Sequence, residues 1–279
     1  MIDSDKLKEL VAKFPTPAAK DGKLAEVDKD ATDAALAELL KGGKDAVVGL
    51  VGMLVPTEKG GDTQVRHALH ALVIHVGGRK GDEKRMVAEA LASTLAGDHH
   101  ADVKLFVLRQ IQLVGGKEVV PAIGKVLTDD ALAETAVQTL LAIKDGAGAP
   151  LRAALSSAKG QRVIVIVQAL GTLKDVEAAP ALRKLLASDD SDVRRVAGCA
   201  LASIGDAECA KLLLKQSTMA EGYERLKLTQ ACFVLAENLV AAGKKKEAAA
   251  IYQHLSDTRR EAVEKHFKDA ADRGLTNLK

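Results

Sequence analysis

Large aromatic side chains are nearly absent from this sequence of 279 residues. It has no Trp, two Tyr and four Phe, although 47% of its residues are hydrophobic. Ala, Leu and Val therefore supply most of the apolar surface, and Ala and Leu are strong helix formers. A single large core usually uses aromatic side chains as filler. The composition thus favours thin layers of closely packed helices.

Long apolar runs and a cysteine framework are lacking as well. The longest apolar run, 46–55, has about half the length that a membrane-spanning helix needs, so no membrane contact is expected. The N-terminus has no apolar signal core. We therefore expect a cytoplasmic protein by default, or an extracytoplasmic one if the chain is a fragment whose signal was removed. Cys199, Cys209 and Cys232 form an odd set without metal-ligand spacing, which predicts free buried thiols.

Neither sign of charge dominates, because Lys and Arg total 40 and Asp and Glu total 38, for a net charge of +2. This balance gives no reason to expect a nucleic acid partner.

Recognisable catalytic and metal-binding motifs are also missing. His67, His70 and His75 lie on one predicted helix, but the step from His70 to His75 turns about 140°, so the three rings cannot converge. There is no Gly-x-Ser-x-Gly motif and no phosphate-binding glycine loop. The sequence therefore predicts no enzyme activity, no catalytic residue, no metal and no cofactor.

Proline recurs at a regular interval. Pro121, Pro150 and Pro180 are spaced by 29 and 30 residues, and each opens a short apolar-periodic stretch. Proline suits the first turn of a helix, where its missing N–H has no partner to lose. Each proline therefore predicts the start of the second helix, B, of a helix pair.

The first helix, A, of each pair recurs too. At residues 192–205, Asp-Val-Arg is followed by apolar positions on one helix face and by a closing glycine. Residues 102–115 and 65–77 repeat this pattern with small changes. Doubled aspartates before two A helices, at 129–130 and 189–190, predict helix caps. The predicted A/B pairs are 30–41/44–55, 63–76/82–96, 101–114/117–128, 130–144/147–157, 160–173/176–187, 191–204/206–217 and a longer last pair, 221–242/244–256.

Five consecutive β-branched residues, 163–167, conflict with this register. Taken alone, they would predict a buried strand. We expect an A helix here, because packing overrides a propensity cost of a few tenths of a kcal/mol per residue.

Such pairs resemble the HEAT-repeat family, in the short bacterial variety known from phycobilin-lyase subunits. The residues that carry the resemblance are Asp-Val-Arg at 192–194 and Ala-Leu-Ala-Ser-Ile-Gly at 200–205. It covers residues 30–217 and implies an all-α, right-handed α-solenoid (an α-α superhelix of the armadillo type) of about seven antiparallel helix pairs. Residues 235–252 resemble a tetratricopeptide hairpin, which predicts a terminal cap.

The predicted organisation has three parts. Residues 1–29 form an N-terminal helix and linker, residues 30–217 form the HEAT-like repeats, and residues 218–279 form the capping helices. The last of these is a charged helix at about 258–273. In it, Val263 and Phe267 stand four residues apart and are expected to dock together on the last pair.

One feature points to a binding surface. The resemblance implies that B helices line the concave side of the solenoid. Past their first turns the predicted B helices carry six cations: Lys125, Arg152, Arg183, Lys184, Lys211 and Lys215. This stripe is either a helix-dipole preference or a basic concave ridge that docks an acidic protein segment.

We therefore expect a monomeric, non-catalytic scaffold that binds a peptide or protein domain on its concave surface. If the basic stripe is a docking ridge, this partner is acidic. The family resemblance is specific for fold and weak for function. One alternative is an accessory lyase- or isomerase-type subunit that acts on a tetrapyrrole-like ligand. Another is the repeat module of a larger multidomain protein, and nucleic-acid binding is less favoured. The sequence has no His-Glu dipeptide, with which some HEAT-repeat hydroxylases hold iron.

Overall fold

The computed structural model of the protein describes residues 2–16, 28–79 and 81–278. In these residues the chain forms sixteen α-helices and four short 3-10 turns, without a strand. The chain divides into two compact units, residues 1–150 and 151–279. None of the helices in the described ranges has the length and apolar content needed to cross a membrane.

Unit 1 begins with one helix that precedes the A/B pairs. Its helices are α1 (Ser4–Val11), α2 (Lys29–Lys41), α3 (Gly43–Gly52), α4 (Thr63–Gly77), α5 (Asp82–Thr94), α6 (Ala101–Val114), α7 (Val120–Lys125) and α8 (Ala133–Ile143). The A helices α2, α4, α6 and α8 pack side by side in this order, and so do the B helices α3, α5 and α7. The unit boundary falls within the next helix, α9 (Gly148–Leu155).

Unit 2 repeats this arrangement. Its helices are α10 (Gln161–Thr172), α11 (Ala179–Leu185), α12 (Ser191–Ile204), α13 (Ala210–Met219), α14 (Gly222–Ala241), α15 (Lys245–Thr258) and α16 (Lys265–Asn277). The A helix α12 packs between the A helices α10 and α14, the B helix α13 packs against the B helix α15, and α16 packs on α15. Each unit is therefore a stack of helix pairs, and the predicted all-α solenoid is confirmed.

The predicted register agrees closely with these bounds. Residues 163–167 lie in α10, where Ile166 and Val167 are buried, so the choice of helix over strand is confirmed. Pro121 and Pro180 occupy the first turns of α7 and α11, each just after a 3-10 turn. Of the predicted N-terminal linker, residues 17–27 lie outside the described ranges. The predicted domain boundaries at residues 29 and 217 stay predictions.

Side chains of neighbouring helices hold the N-terminal helix α1 in place. Its residues Leu7 and Leu10 are buried. The backbone carbonyls that follow the helix accept hydrogen bonds from Gln64, 2.8 Å from the Phe14 oxygen, and from Thr32. Unit 1 thus has a capped first helix pair, as a stack of repeats requires at its end.

The arginine of the Asp-Val-Arg motif at 192–194 ties its A helix to its neighbours. Arg194 donates to the backbone carbonyls of Ser188 and Asp189, in the turn before α12, and forms a two-bond ion pair with Glu224 of α14 at 2.7 and 2.8 Å. Asp190 caps the same helix, since its carboxylate accepts from the N–H groups of two first-turn residues. The predicted capping role is confirmed at this position.

The end of unit 2 is fixed by one carboxylate and two arginines. Glu264 accepts two hydrogen bonds from Arg225, at 2.7 and 2.8 Å, and lies 3.7 Å from the Nε atom of Arg259. The Arg259 side chain is fully buried and donates to Ser217 and Thr229. The Arg225 hydrogen bonds lower the pKa of Glu264 below its ordinary value, against the effect of burial.

The predicted docking of the final helix through Val263 and Phe267 is wrong in part. Helix α15 continues to Thr258, and residues 262–264 form a 3-10 turn before α16 begins. Val263 therefore does not share an α-helical face with Phe267 and is 76% exposed. Of these two residues only Phe267 docks, stacked on Phe233 with ring centroids 6.0 Å apart.

Glu264→Gln is expected to destabilise the protein at neutral pH by about 3 kcal/mol, because it leaves the buried cation of Arg259 and the half-buried cation of Arg225 without their counter-charge. Since the folded-state pKa of Glu264 is lowered, its contribution is present above the unfolded-state pKa of about 4.3 and is lost as pH falls through the folded-state value. The difference in the free energy of unfolding between wild type and variant should therefore narrow below about pH 4. Urea unfolding at pH 7 and pH 3.5 measures this difference, and the control is Glu247→Gln, at an exposed glutamate. A gap that is equal at both values would contradict this assignment.

Neighbouring A helices approach closely through glycine. A Cβ atom added at Gly171 of α10 would lie 2.7 Å from the Ala200 Cα atom and 2.8 Å from its Cβ atom in α12. The first of these atoms is backbone, so it cannot move aside alone. The spacing of α10 and α12 therefore depends on a residue without a side chain.

Gly171→Ala is expected to destabilise the protein by about 1–3 kcal/mol from overpacking, less the gain of up to about 1 kcal/mol that Ala brings to a helix. Gly52→Ala is the matched control, since no atom lies within 4 Å of its added Cβ. Urea midpoints compare the two. A Gly171→Ala variant as stable as the control would show that the helices can separate at little cost.

Candidate functional site

The predicted basic residues all lie on B helices. Lys125 ends α7 in unit 1. The other five lie in unit 2, on α9, α11 and α13. We call the surface formed by α9, α11, α13 and α15 the B-helix face of unit 2.

The two arginines of this set are engaged in ion pairs with the next helix pair. Arg183 of α11 contacts Asp206 at 2.8 Å and Glu208 at 3.0 Å, both in the turn that leads into α13. The hydrogen bond to Asp206 raises the pKa of Arg183. Arg152 contacts Asp175 and Glu177 in the same manner, 31 residues earlier. These guanidinium groups connect successive repeats, and each is already paired with carboxylates of the same chain.

The four lysines of the set differ from the arginines in their ion pairing. Within the residues that the structure describes, no ion-pair partner is found for Lys125, Lys184, Lys211 or Lys215. The last three are exposed on the B-helix face of unit 2. The predicted ridge therefore consists of two kinds of cation, and only the lysines carry charge without a counter-ion from the described chain.

A groove of about 800 Å³ lies on this face, between α13 and α15. Its lining residues are Glu208, Lys211, Leu212, Leu214, Lys215, Thr218, Met219 and His254. The floor is mostly apolar, and Met219 is 66% exposed. The exposed carboxylate of Glu208 forms an ion pair with Arg183, which also binds Asp206. Two lysines and an apolar floor thus define the character of this groove, which we call the α13/α15 groove.

The one histidine of the groove adds no charge at neutral pH. Burial lowers the pKa of His254 and nearby Arg259 lowers it further, while Asp257 acts in the opposite sense. The Thr218 hydroxyl donates to the Leu214 carbonyl at 2.9 Å. The Nε2 atom of His254, 3.2 Å from the Thr218 oxygen, must then be the donor in their contact. His254 is therefore neutral with its proton on Nε2 and links α15 to α13.

The apolar half of this groove is not among the residues predicted from the sequence. A signal for it is present in the 31-residue register: Arg152, Arg183 and Leu214 occupy equivalent positions. Leucine at the third position cannot continue the series of inter-repeat ion pairs, and it lines the groove instead.

His67 and His70 each contact a polar group of another segment, and two of the three free cysteines, Cys209 and Cys232, are buried. The Nδ1 atom of His67 lies 2.9 Å from the Pro15 carbonyl, and that of His70 lies 2.8 Å from the Gln110 side-chain oxygen. In the described residues, no group of three or more His, Cys, Asp or Glu side chains is placed to hold a metal ion. Burial raises the pKa of both the Cys209 and Cys232 thiols to about 12, so neither is a nucleophile at neutral pH.

Comparison with known proteins gives one family match. Residues 149–232 match the family model of HEAT repeats. No curated protein matches the sequence. Solved structures that match include the complex of CpcE and CpcF of phycocyanin lyase from Nostoc sp., at 15% identity and a TM-score of 0.41 over 85% of this chain and 94% of that one.

Two further structures cover nearly the whole chain. Human deoxyhypusine hydroxylase matches at 16% identity and a TM-score of 0.34, over 98% of this chain and 97% of that one. An archaeal HEAT-like repeats protein from Thermococcus onnurineus matches at 13% identity and a TM-score of 0.36, over 100% and 98%. At such scores the likenesses carry no argument about what this chain binds or does.

Arg183→Met is expected to lower the melting temperature more than Lys184→Met, its neighbour on the same helix, because only Arg183 holds acids of the next repeat. The difference should shrink as salt is raised, since salt screens the wild-type ion pair. Thermal unfolding at low and high salt measures both effects. Equal melting temperatures for the two variants would contradict a connecting role for Arg183.

Proposed function

We propose that this protein is a non-catalytic scaffold that binds a peptide or protein domain on the B-helix face of unit 2, because residues 149–232 match the family model of HEAT repeats. Stacked repeats of this kind form extended binding surfaces, and the same architecture serves many unrelated roles. The function must therefore be argued from this chain's own surface.

The observation that carries the proposal is the α13/α15 groove. It combines an exposed apolar side chain, Met219, with two lysines that lack a counter-ion in the described residues. Exposed apolar surface bordered by charge marks sites of protein association. Lysines on the rim of such a site attract and orient a partner of opposite charge. An acidic protein segment is therefore the partner class that we propose.

A catalytic role has less support on this surface. The ionisable groups that line the groove in the described residues are the ion-paired carboxylate of Glu208, two lysines, and a histidine whose pKa burial lowers. Lyase and hydroxylase are activities of two of the matching structures. For this chain, an accessory activity on a tetrapyrrole-like ligand and a place in a larger multidomain protein stay alternative predictions.

Site-specific photo-crosslinking in cells of the source organism tests the proposal. A photoreactive amino acid at position 219, in the groove, should capture a protein that the same group at Gln230, exposed on the A helix α14, does not capture. The combined variant Lys184→Glu, Lys211→Glu and Lys215→Glu should reduce this product about tenfold or more. Arg183 is left intact in this variant, because its reversal would place a carboxylate beside Asp206.

The matched control reverses three exposed lysines elsewhere: Lys29, Lys159 and Lys265. It should leave the crosslinked product unchanged, and circular dichroism confirms that both triple variants stay folded. Crosslinking from position 230 alone, or a product that persists in the Lys184, Lys211 and Lys215 variant, would refute binding on the B-helix face.

A further inference from the structure

The lysines of the α13/α15 groove are arranged in a row with apolar side chains on both sides. At about 100° per residue, Lys211 and Lys215 project from the centre of the outer face of α13. Leu214 projects about 60° to one side of Lys211, and Leu212 and Met219 project about 80–100° to the other side. All five side chains line the groove.

The series of inter-repeat ion pairs ends after Arg183, at the step from α13 to α15. Asp175, Asp206 and Lys244 are equivalent, because each follows a residue with positive φ and donates its N–H to the carbonyl five residues earlier. The first two bind Arg152 and Arg183. At the next step the arginine position is Leu214 and the acid position is Lys244. The last repeat thus replaces an internal ion pair by an apolar side chain and a cation.

We infer that the α13/α15 groove binds an acidic amphipathic helix. In this complex two carboxylates one turn apart pair with Lys211 and Lys215, and apolar side chains on either side of them cover Leu214 and Met219. The inference rests on the proposed function and names the partner's chemistry. The two lysines favour an acidic partner, since they outnumber Glu208, the one acid among the described residues that line the groove, and Glu208 is itself paired with Arg183.

The shape of the lysine row decides between a helix and an extended segment. The two lysines are separated by four residues, or about 6 Å along α13, which matches carboxylates at i and i+4 of a helix. An extended strand shows a single row of side chains on each face. It could pair with the lysines, but it could not also cover the apolar side chains on both sides. A helix shows several adjacent rows and can do both.

Fluorescence anisotropy with designed peptides tests this inference on the full chain. The probe is a labelled 18-residue helical peptide with Glu at i and i+4 flanked by Leu. Two companion peptides replace Glu by Gln or by Lys. The Glu peptide should bind about tenfold or more tightly than the Gln peptide at low salt, and the advantage should shrink at high salt.

A charge exchange identifies the contact. The variant Lys211→Glu with Lys215→Glu should bind the Glu peptide about tenfold or more weakly than the wild type does. It should also bind the Lys peptide, which the wild type should not bind. Lys159→Glu with Lys265→Glu is the matched control and should behave as wild type. Met219→Asp, which keeps both lysines, should weaken binding of the Glu peptide and should not strengthen binding of the Gln or Lys peptide.

Several results would overturn the inference. These are equal binding of the Glu and Gln peptides, an equal loss in the Lys159 and Lys265 control, or failure of the charge exchange to recover the Lys peptide. If no peptide binds while the crosslink from position 219 still depends on the lysines, the acidic-helix inference falls and the proposed function stands. If the crosslink fails, the proposed function falls by itself.

Discussion

Each helix pair in this protein has two apolar faces and can bury neither of them alone. Within each unit the A helices pack on A helices, and the B helices pack on each other from α3 through α5 to α7 and between α13 and α15, so interior pairs supply the core of their neighbours. Small side chains make this possible at short distance. Gly171 contacts Ala200 directly, and an added Cβ at Gly198 would lie 2.6 Å from a Leu228 side-chain atom. This explains why a sequence with so few aromatic residues still has a dense core.

Ion pairs between successive repeats work together with this apolar packing. Arg152, Arg183 and Arg194 each hold carboxylates of the next helix pair. In the last repeats the pattern changes in two ways. Arg225 repeats the role of Arg194 by binding Glu264, although no Val-Arg motif marks it in the sequence. At Leu214 an arginine is absent, and the B-helix face gains an apolar groove. Stability and a candidate binding surface are therefore set by the same repeat positions.

The sequence predicted the helix register because local rules and the repeat agreed. Prolines at the first turns of B helices, glycines after A helices and aspartate caps all act within a few residues. Even the β-branched run at 163–167 followed the register, since packing in α10 outweighs a small propensity cost. The prediction was weaker at the C-terminal end. There the repeat no longer constrains the chain, and a 3-10 turn at 262–264 shifts the last helix.

The sequence by itself thus determined the fold class, the helix pairs and the set of basic residues on the B helices. Only the tertiary structure separated those residues into two groups. Arg183 and Lys184 are adjacent in the chain, yet one is bound to acids of the next repeat and the other is not. The partners lie more than 20 residues away, at a distance that helical periodicity does not encode. The same holds for His254, which reaches the groove because α15 packs beside α13.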